Sequence, residues 1–334
     1  MSKKISIAID AMGGDNSPDK IIEGIKIFLE KYKKTDDFVL NIFGEEQILK
    51  EKLKKLDLNT DHINIINSNT VVSDEETPMT AVKNSKNTSM WNCIQHQLEG
   101  KSDISLSAGN TGVLLVISRM ILKMMNDVSK PALAGLWPNQ YGMNVVLDLG
   151  ANIECNEKNL LDFAAMGSAL HKSLFDNKKP KVALLNVGLE EIKGNDVLKK
   201  TYNVLKDDKV GNFEFCGYIE GNHIMDGNID VIVTDGFTGN IALKTAEGTA
   251  NFITKNLKNS LSNLSKILSY RSLKKFKDKL DPRKYNGAIF LGLESPVVKS
   301  HGGTDAFGFA HSINVCNKIV KANLIEKIKA NLIT

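Results

Sequence analysis

"VIVTDGFTGNIALK" runs from Val231 to Lys244. Three β-branched residues lead into a Gly-x-Thr-Gly corner, and a second apolar run leaves it. Such runs favour strands, and glycine with Asp, Asn or Thr marks a turn. The segment therefore reads as strand, corner, helix. "ISLSAGNTGVLL" (Ile104–Leu115) has the same form.

Similar units recur along the chain. Apolar runs at Ile5–Ile9, Phe38–Phe43, Ile63–Ile66, Ile104–Leu106, Val145–Leu147, Val182–Val187 and Val231–Val233 read as strands. Asp19–Lys33 and Glu157–Leu174 carry helical spacing. Strands alternating with helices predict an α/β protein with a largely parallel sheet. The 334 residues suffice for one large domain or two lobes.

Ligands of such sheets bind beyond the carboxyl ends of the strands. Five of these ends carry glycine with small polar residues: "DAMGGDNSPD" after Ile9, "SAGNTG" after Leu106, "DLGAN" after Leu147, "NVG" after Leu185 and "TDGFTGN" after Val233. Turn preference explains any one of them. Five together point to a site. Glycine lets backbone N–H groups approach a ligand, and a helix N-terminus attracts anions. The two Gly-x-Thr-Gly corners can hold two anionic groups or form two sides of one cleft. Thr111 and Thr238 can cap their helices or donate to an anion. Asp10, Asp15, Asp148 and Asp235 can bind a metal, act as bases, or fix their loops; loop fixing is the simplest reading. His301, in "KSHGGTD", is either a donor to a phosphoryl or carbonyl oxygen or a solvated turn residue.

Several classes are disfavoured. No G-x-G-x-x-G occurs, so the dinucleotide fingerprint is absent. "GKS" at Gly100–Ser102 lacks its P-loop glycine, because position 95 is Gln95. There is no G-x-S-x-G elbow. Four scattered cysteines with no C-x-x-C suit reduced thiols in a cytoplasmic protein. No run resembles a spanning helix or a signal peptide. Only three residues are Arg, which speaks against nucleic acid as a partner.

Residues 255–284 hold ten Lys/Arg and two Asp, a net charge of +8 against +4 for the whole chain. Leu257, Leu261, Leu264 and Leu268 share one helical face, and Leu273, Phe276 and Leu280 another. The spacing predicts a basic amphipathic helical hairpin over 250–284, ended by Pro282. A solvated cationic face, a membrane surface or an acidic partner protein would each suit it.

The chain resembles the phosphate acyltransferases of bacterial phospholipid synthesis (acyl-acyl-carrier-protein:phosphate acyltransferases). The resemblance rests on "DAMGGD" (Asp10–Asp15), "SAGNTG" (Ser107–Gly112), "LDLGAN" (Leu147–Asn152), "MGS" (Met166–Ser168), "LLNVG" (Leu184–Gly188), "TDGFTGN" (Thr234–Asn240), "YNGA" (Tyr285–Ala288) and "KSHG" (Lys299–Gly302), in order over nearly the whole chain. It departs where Lys83 and Lys130 stand in place of the usual Arg.

The resemblance implies a three-layer α/β/α fold with a large mixed, mostly parallel sheet, like that of isocitrate and isopropylmalate dehydrogenases and phosphotransacetylases. Residues 1–334 would form one catalytic domain of two related lobes. It also implies acyl transfer from acyl carrier protein to inorganic phosphate. The partners implied are a second copy, the membrane surface and a downstream glycerol-3-phosphate acyltransferase. No cofactor, metal or nucleic acid is expected.

Asn110, Thr238, Asn240, Lys244 and His301 become candidate catalytic residues. Candidate phosphate or substrate contacts are Asp10, Gly13, Gly14, Asp15, Ser107, Gly109, Thr111 and Gly112 around the first corner. Around the second they are Asp148, Gly150, Asn152, Asp235, Gly236 and Gly239, with Asn186 and Gly188 nearby. Lys274, Lys275, Lys277, Arg283 and Lys284 are candidates for docking carrier protein or membrane. A coenzyme A-dependent phosphotransacetylase, a decarboxylating dehydrogenase and a membrane scaffold are the alternative readings.

Overall fold

The computed structural model describes residues 4–32, 38–58, 60–72, 77, 80, 83–175, 179–207, 212–260 and 281–332. The chain opens with β1 (Ile5–Asp10), α1 (Asp19–Tyr32), β2 (Phe38–Gly44), α2 (Glu46–Lys55) and β3 (Ile63–Asn67). It continues through α3 (Ser89–Leu98), β4 (Ile104–Ser107), α4 (Thr111–Leu122) and the hairpin of β5 (Ala132–Pro138) with β6 (Met143–Leu147). Then come α5 (Glu157–Phe175), β7 (Lys181–Asn186), α6 (Asp196–Leu205), β8 (Glu214–Glu220), β9 (Val231–Val233) and α7 (Gly236–Ser260). β10 (Ala288–Leu291), β11 (Val297–Lys299), α8 (Ala306–Lys321) and α9 (Leu324–Lys329) close it.

All eleven strands join one sheet in the order β3-β2-β1-β4-β11-β10-β5-β6-β9-β7-β8. Its pairings are parallel except β11–β10, β10–β5 and β5–β6. Alternate residues face opposite sides, as the strand period demands. Val145, Leu147, Val231 and Val233 enter the core under α1, α5 and α8. Val146 and Ile232 enter the core under α3, α4 and α7. Helices thus cover both faces, giving three layers. In α1, Ile21, Ile25, Phe28 and Leu29 are buried at helical spacing; each such side chain contributes about 1.5–3 kcal/mol on full burial.

The three antiparallel pairings decide where the corners go. The direction of the strands reverses between β11 and β10, between β10 and β5, and again between β5 and β6. The carboxyl ends of β1, β4 and β11 therefore lie at one end of the strands, and those of β6, β7 and β9 at the other. The five glycine-rich corners thus divide between two sets of strand ends.

Helix α7 runs unbroken from the second corner to Ser260, so the first part of the expected hairpin continues a 25-residue helix. Leu261 to Leu280, including Lys274, Lys275 and Lys277, lie outside the described residues. Pro282 opens a 3-10 turn whose first amide, that of Arg283, is capped by Asp281. No helix among the described residues is long and apolar enough to cross a membrane.

Candidate active site

The first corner is assembled from three loops. Asp10, the last residue of β1, is fully buried. Its carboxylate accepts from Ser107 Oγ at 2.6 Å and from the Met12 amide at 3.2 Å. Burial pushes its pKa up, and these bonds oppose the shift. Ser107 Oγ in turn accepts from the Gly109 amide at 3.1 Å. Gly13 presses on the same loop: a Cβ there would stand 2.6 Å from Asp10 Oδ2 and 2.7 Å from the Gly109 nitrogen. The third loop follows β11, and the Asp15 amide donates to Gly302 O at 3.1 Å. The Asp15 side chain is exposed.

Asn110 caps α4, accepting from the amides of Gly112 and Val113 at 3.0 and 3.2 Å. Thr111 and Gly112 form the half-buried first turn. The cap is therefore the asparagine, not the threonine.

His301 follows β11 at this corner. Its Nδ1 accepts from the Gly303 amide at 3.1 Å, and its own amide donates to Asn286 Oδ1 at 2.9 Å. Burial lowers the histidine pKa, and Lys244, Lys299 and Lys20 push the same way against the opposing charge of Glu247. A neutral ring accepting at Nδ1 carries its proton on Nε2. It is then a hydrogen-bond donor that bears no charge.

Two buried lysines pack into this corner, and neither stands out in the sequence. Lys20 begins α1 and Lys299 ends β11; they are 5% and 7% exposed. Lys20 Nζ donates to Gly302 O. Lys299 Nζ donates to Ala108 O at 3.2 Å and to Ser300 O. Their only local signals are a lysine beside the buried pair Ile21-Ile22, and a lysine closing the apolar run of "VVKSHG".

The second corner, at the opposite strand ends, is a backbone lock. Asp148 Oδ1 accepts from the amides of Leu133, Gly150 and Ala151, at 3.0, 3.2 and 3.0 Å. Its Oδ2 accepts from the Asn152 amide at 2.7 Å and from Asn152 Nδ2 at 2.8 Å. Asp235 caps α7 by accepting from the Thr238 amide at 2.8 Å and from Thr238 Oγ1 at 3.0 Å. Again the acidic residue, not the threonine, is the acceptor. The Gly236 amide donates to Asn152 O at 2.8 Å, and Asn240 Nδ2 donates to Leu149 O at 3.3 Å. Gly239 is required: a Cβ there would lie 1.9 Å from Asp148 O. Asn186 Nδ2 donates to Lys193 O at 3.2 Å at this same end, beside the buried Gly188. Lys130, also at this end, donates to Glu154 O at 2.8 Å.

Asn110 and Thr111 thus stand at the first corner and Thr238 and Asn240 at the second. Strand reversal sends them to opposite ends. Lys244 lies between: it pairs with Glu247 at 2.8 Å, and both charges act on His301. Helix α7 therefore links the second corner to the first. A cavity of 610 Å³ opens at the second corner, lined by Ile153, Cys155, Leu160, Leu198, Asp235 and Phe237, among others.

Arg283, a candidate for docking, is held by two carboxylates. Its guanidinium bonds Asp281 through Nε at 2.7 Å and Nη2 at 2.6 Å, and Asp305 through Nη1 at 2.8 Å. It clamps the turn before β10 to the N-cap of α8. Lys284 is half-buried. Among the described residues, no three His, Cys, Asp or Glu side chains are grouped to hold a metal.

The eleven-stranded mixed sheet, covered by helices on both faces, defines the α/β fold class of the chain. A phosphotransacetylase from Streptococcus pyogenes shares it with a TM-score of 0.62 at 17% identity, over 98% of this chain and 95% of that one. A family model described as "Fatty acid synthesis protein" matches residues 5–327. The phosphate acyltransferase of Pelagibacter ubique is 56% identical, over 99% of this chain and 100% of its own. That of Azorhizobium caulinodans is 39% identical, over 100% and 95%. The chain belongs to this fatty acid synthesis family and is an acyltransferase by class.

Proposed function

We propose that the chain transfers a fatty acyl group from acyl carrier protein to inorganic phosphate, releasing acyl phosphate for phospholipid synthesis. The observation that carries this reading is His301: its Nδ1 accepts from the Gly303 amide, so a neutral ring offers an Nε2 donor at the corner where three glycine-rich loops meet. A phosphate oxygen attacks the thioester carbonyl carbon there. The C–O bond forms, the C–S bond breaks, and the thiolate leaves on the carrier's prosthetic arm and takes up a proton. Phosphate is already an anion near neutral pH, so no strong base is required. His301 Nε2–H stabilises the oxyanion, a role worth about 2.7–4 kcal/mol for one donor. Holding both reactants together adds about 7–11 kcal/mol in favourable systems.

Direct attack fits the cysteines. Burial raises the Cys93 and Cys316 thiols, and Cys155 is pushed up to about 11, chiefly by burial. None of these is an activated thiolate. The protein works as a homodimer at the membrane surface, supplying a glycerol-3-phosphate acyltransferase. Phe252 on α7 is 70% exposed beside the basic stretch, which supports contact with lipid or carrier.

The test is hydroxylamine trapping of acyl phosphate made from acyl carrier protein, with acyl-coenzyme A in parallel. Phosphate-dependent product that prefers the carrier protein supports the reading. Product from coenzyme A alone makes the enzyme a phosphotransacetylase, and ping-pong kinetics would replace direct attack by an acyl-enzyme.

A further inference from the structure

The polar groups of His301 are its backbone N–H and C=O and its two ring nitrogens. The carbonyl accepts from the Thr304 amide at 3.1 Å, and Nδ1 accepts from the Gly303 amide at 3.1 Å. Both bonds close within the turn itself. The His301 amide instead donates to Asn286 Oδ1 at 2.9 Å, across a sequence separation of 15. Of the three bonds, only that one fixes the histidine to another part of the fold. Asn286 belongs to "YNGA" (Tyr285–Ala288), between the Arg283 clamp and β10, and it is buried. Its Nδ2 donates to Ser300 Oγ at 2.8 Å and to Gly308 O, in the first turn of α8, at 3.0 Å.

The partners decide which way the amide faces. A backbone N–H can only donate and a backbone C=O can only accept, so Oδ1 must face His301 and Nδ2 must face α8. One short side chain thereby joins the exit of β11, the start of α8 and its own loop. The loop cannot easily follow a drifting histidine. Gly287 adopts φ +111° with Ser312 Cα only 3.3 Å from where a Cβ would stand, which presses the loop on α8. Arg283, bonded to Asp281 and Asp305, ties the same loop to the N-cap of that helix. Ionised aspartate has no donor for Gly308 O, alanine has neither group, and glutamine would bring an extra methylene into a packed space. Resting on the acyl-transfer reading above, we infer that Asn286 is a positioning residue for that reaction: by holding the His301 backbone against α8 it fixes where the Nε2–H donor stands, without touching substrate itself.

The experiment starts with the intact protein without substrate. Amide hydrogen exchange should find the His301 N–H protected, although the residue lies at the surface. Nitrogen NMR of the histidine rings should show His301 as one tautomer, with its proton on Nε2. In Asn286→Ala the amide should lose its protection and the ring signal should average between tautomers. In steady-state kinetics kcat should fall by up to about a hundred-fold, the effect of misplacing a reacting group by about 1 Å. The KM values for phosphate and carrier protein should change little. Ser300→Ala removes a different partner of Asn286 and spares the His301 bond, so its kcat should stay near that of the parent. A His301 amide that exchanges freely in the unaltered protein overturns the inference, and that measurement needs no variant to fold. So does an unchanged kcat in Asn286→Ala, or a loss no larger than that of Ser300→Ala. Protection and tautomer lost together in Asn286→Ala, with no acyl phosphate formed by the parent, would leave Asn286 as the holder of His301 while the proposed reaction fell.

Discussion

The Nδ1 atom of His301 accepts a hydrogen bond of 3.1 Å from the amide of Gly303, two residues along the chain. That bond sets the tautomer. It leaves the Nε2 proton as the one donor the ring can offer to a substrate.

Acid should disable this arrangement. The folded-state pKa of His301 lies below the ordinary 6.5. A depressed histidine pKa contributes stability that is present above the unfolded value and is lost as pH falls through the folded value. Protonated Nδ1 would also confront the Gly303 N–H. The acyl-transfer rate should therefore show an acid limb below about pH 6.5, the ordinary histidine value. His301→Gln should lower kcat by about 10²–10³-fold and remove that limb. A limb that survives in the variant would assign the titration to another group.

Two glycines of the first corner should respond differently to alanine. At Gly13 the new methyl meets Asp10 Oδ2 and the Gly109 backbone, both fixed. At Gly109 the one close clash is with the terminal methyl of Met90, at 2.6 Å; Ser107 Oγ at 3.4 Å and Gly13 Cα at 3.6 Å are in ordinary contact. Methionine is flexible and yields. Urea denaturation should show a loss of about 1–3 kcal/mol for Gly13→Ala and a smaller one for Gly109→Ala. Equal losses would mean that the Asp10 and Gly109 loops are not rigidly apposed.

Asp148→Asn tests the second corner. The asparagine keeps the shape but turns an NH2 toward amides that now donate to a carboxylate. A buried donor left unsatisfied costs about 1–3 kcal/mol, so thermal unfolding should reveal a large fall in stability. A variant as stable as the parent would mean the corner is held by something other than Asp148.

Arg283 and the neighbouring lysines should separate by salt dependence. Arg283→Ala strands the buried Asp281 carboxylate, so it should lower stability by about 1–3 kcal/mol with little dependence on salt. Neutralising Lys274, Lys275, Lys277 and Lys284 together should instead weaken binding of carrier protein or anionic vesicles at low ionic strength, with the difference fading as salt screens it. Binding that is indifferent to the four lysines would remove the electrostatic docking role.

Much of the architecture is local and can be read directly. β9 spans Val231–Val233, as its three β-branched residues predict, and α1 and α5 end within a residue or two of their predicted limits. Strands β10 and β11, of four and three residues, are not among the predicted runs. β5 was missed because Gly135 and Pro138 interrupt it, and β8 because it mixes charged and apolar residues in "EFCGYIE".

The sequence by itself determined the strands, the corners and their glycines, because period, β-branching and turn chemistry act within a few residues. Tertiary structure alone decided which corners meet. Reversals at β10 and between β5 and β6 separate Asn110 from Thr238, although their motifs match. Folding also buries Lys20 and Lys299 against Gly14, Ala108 and Gly302, residues far apart in the chain. It ties Arg283 to Asp305 and leaves the charges of Lys244 and Glu247 acting on His301. A side chain's charge is visible in the sequence. Its burial, and therefore what that charge can do, depends on partners that only long-range packing brings together.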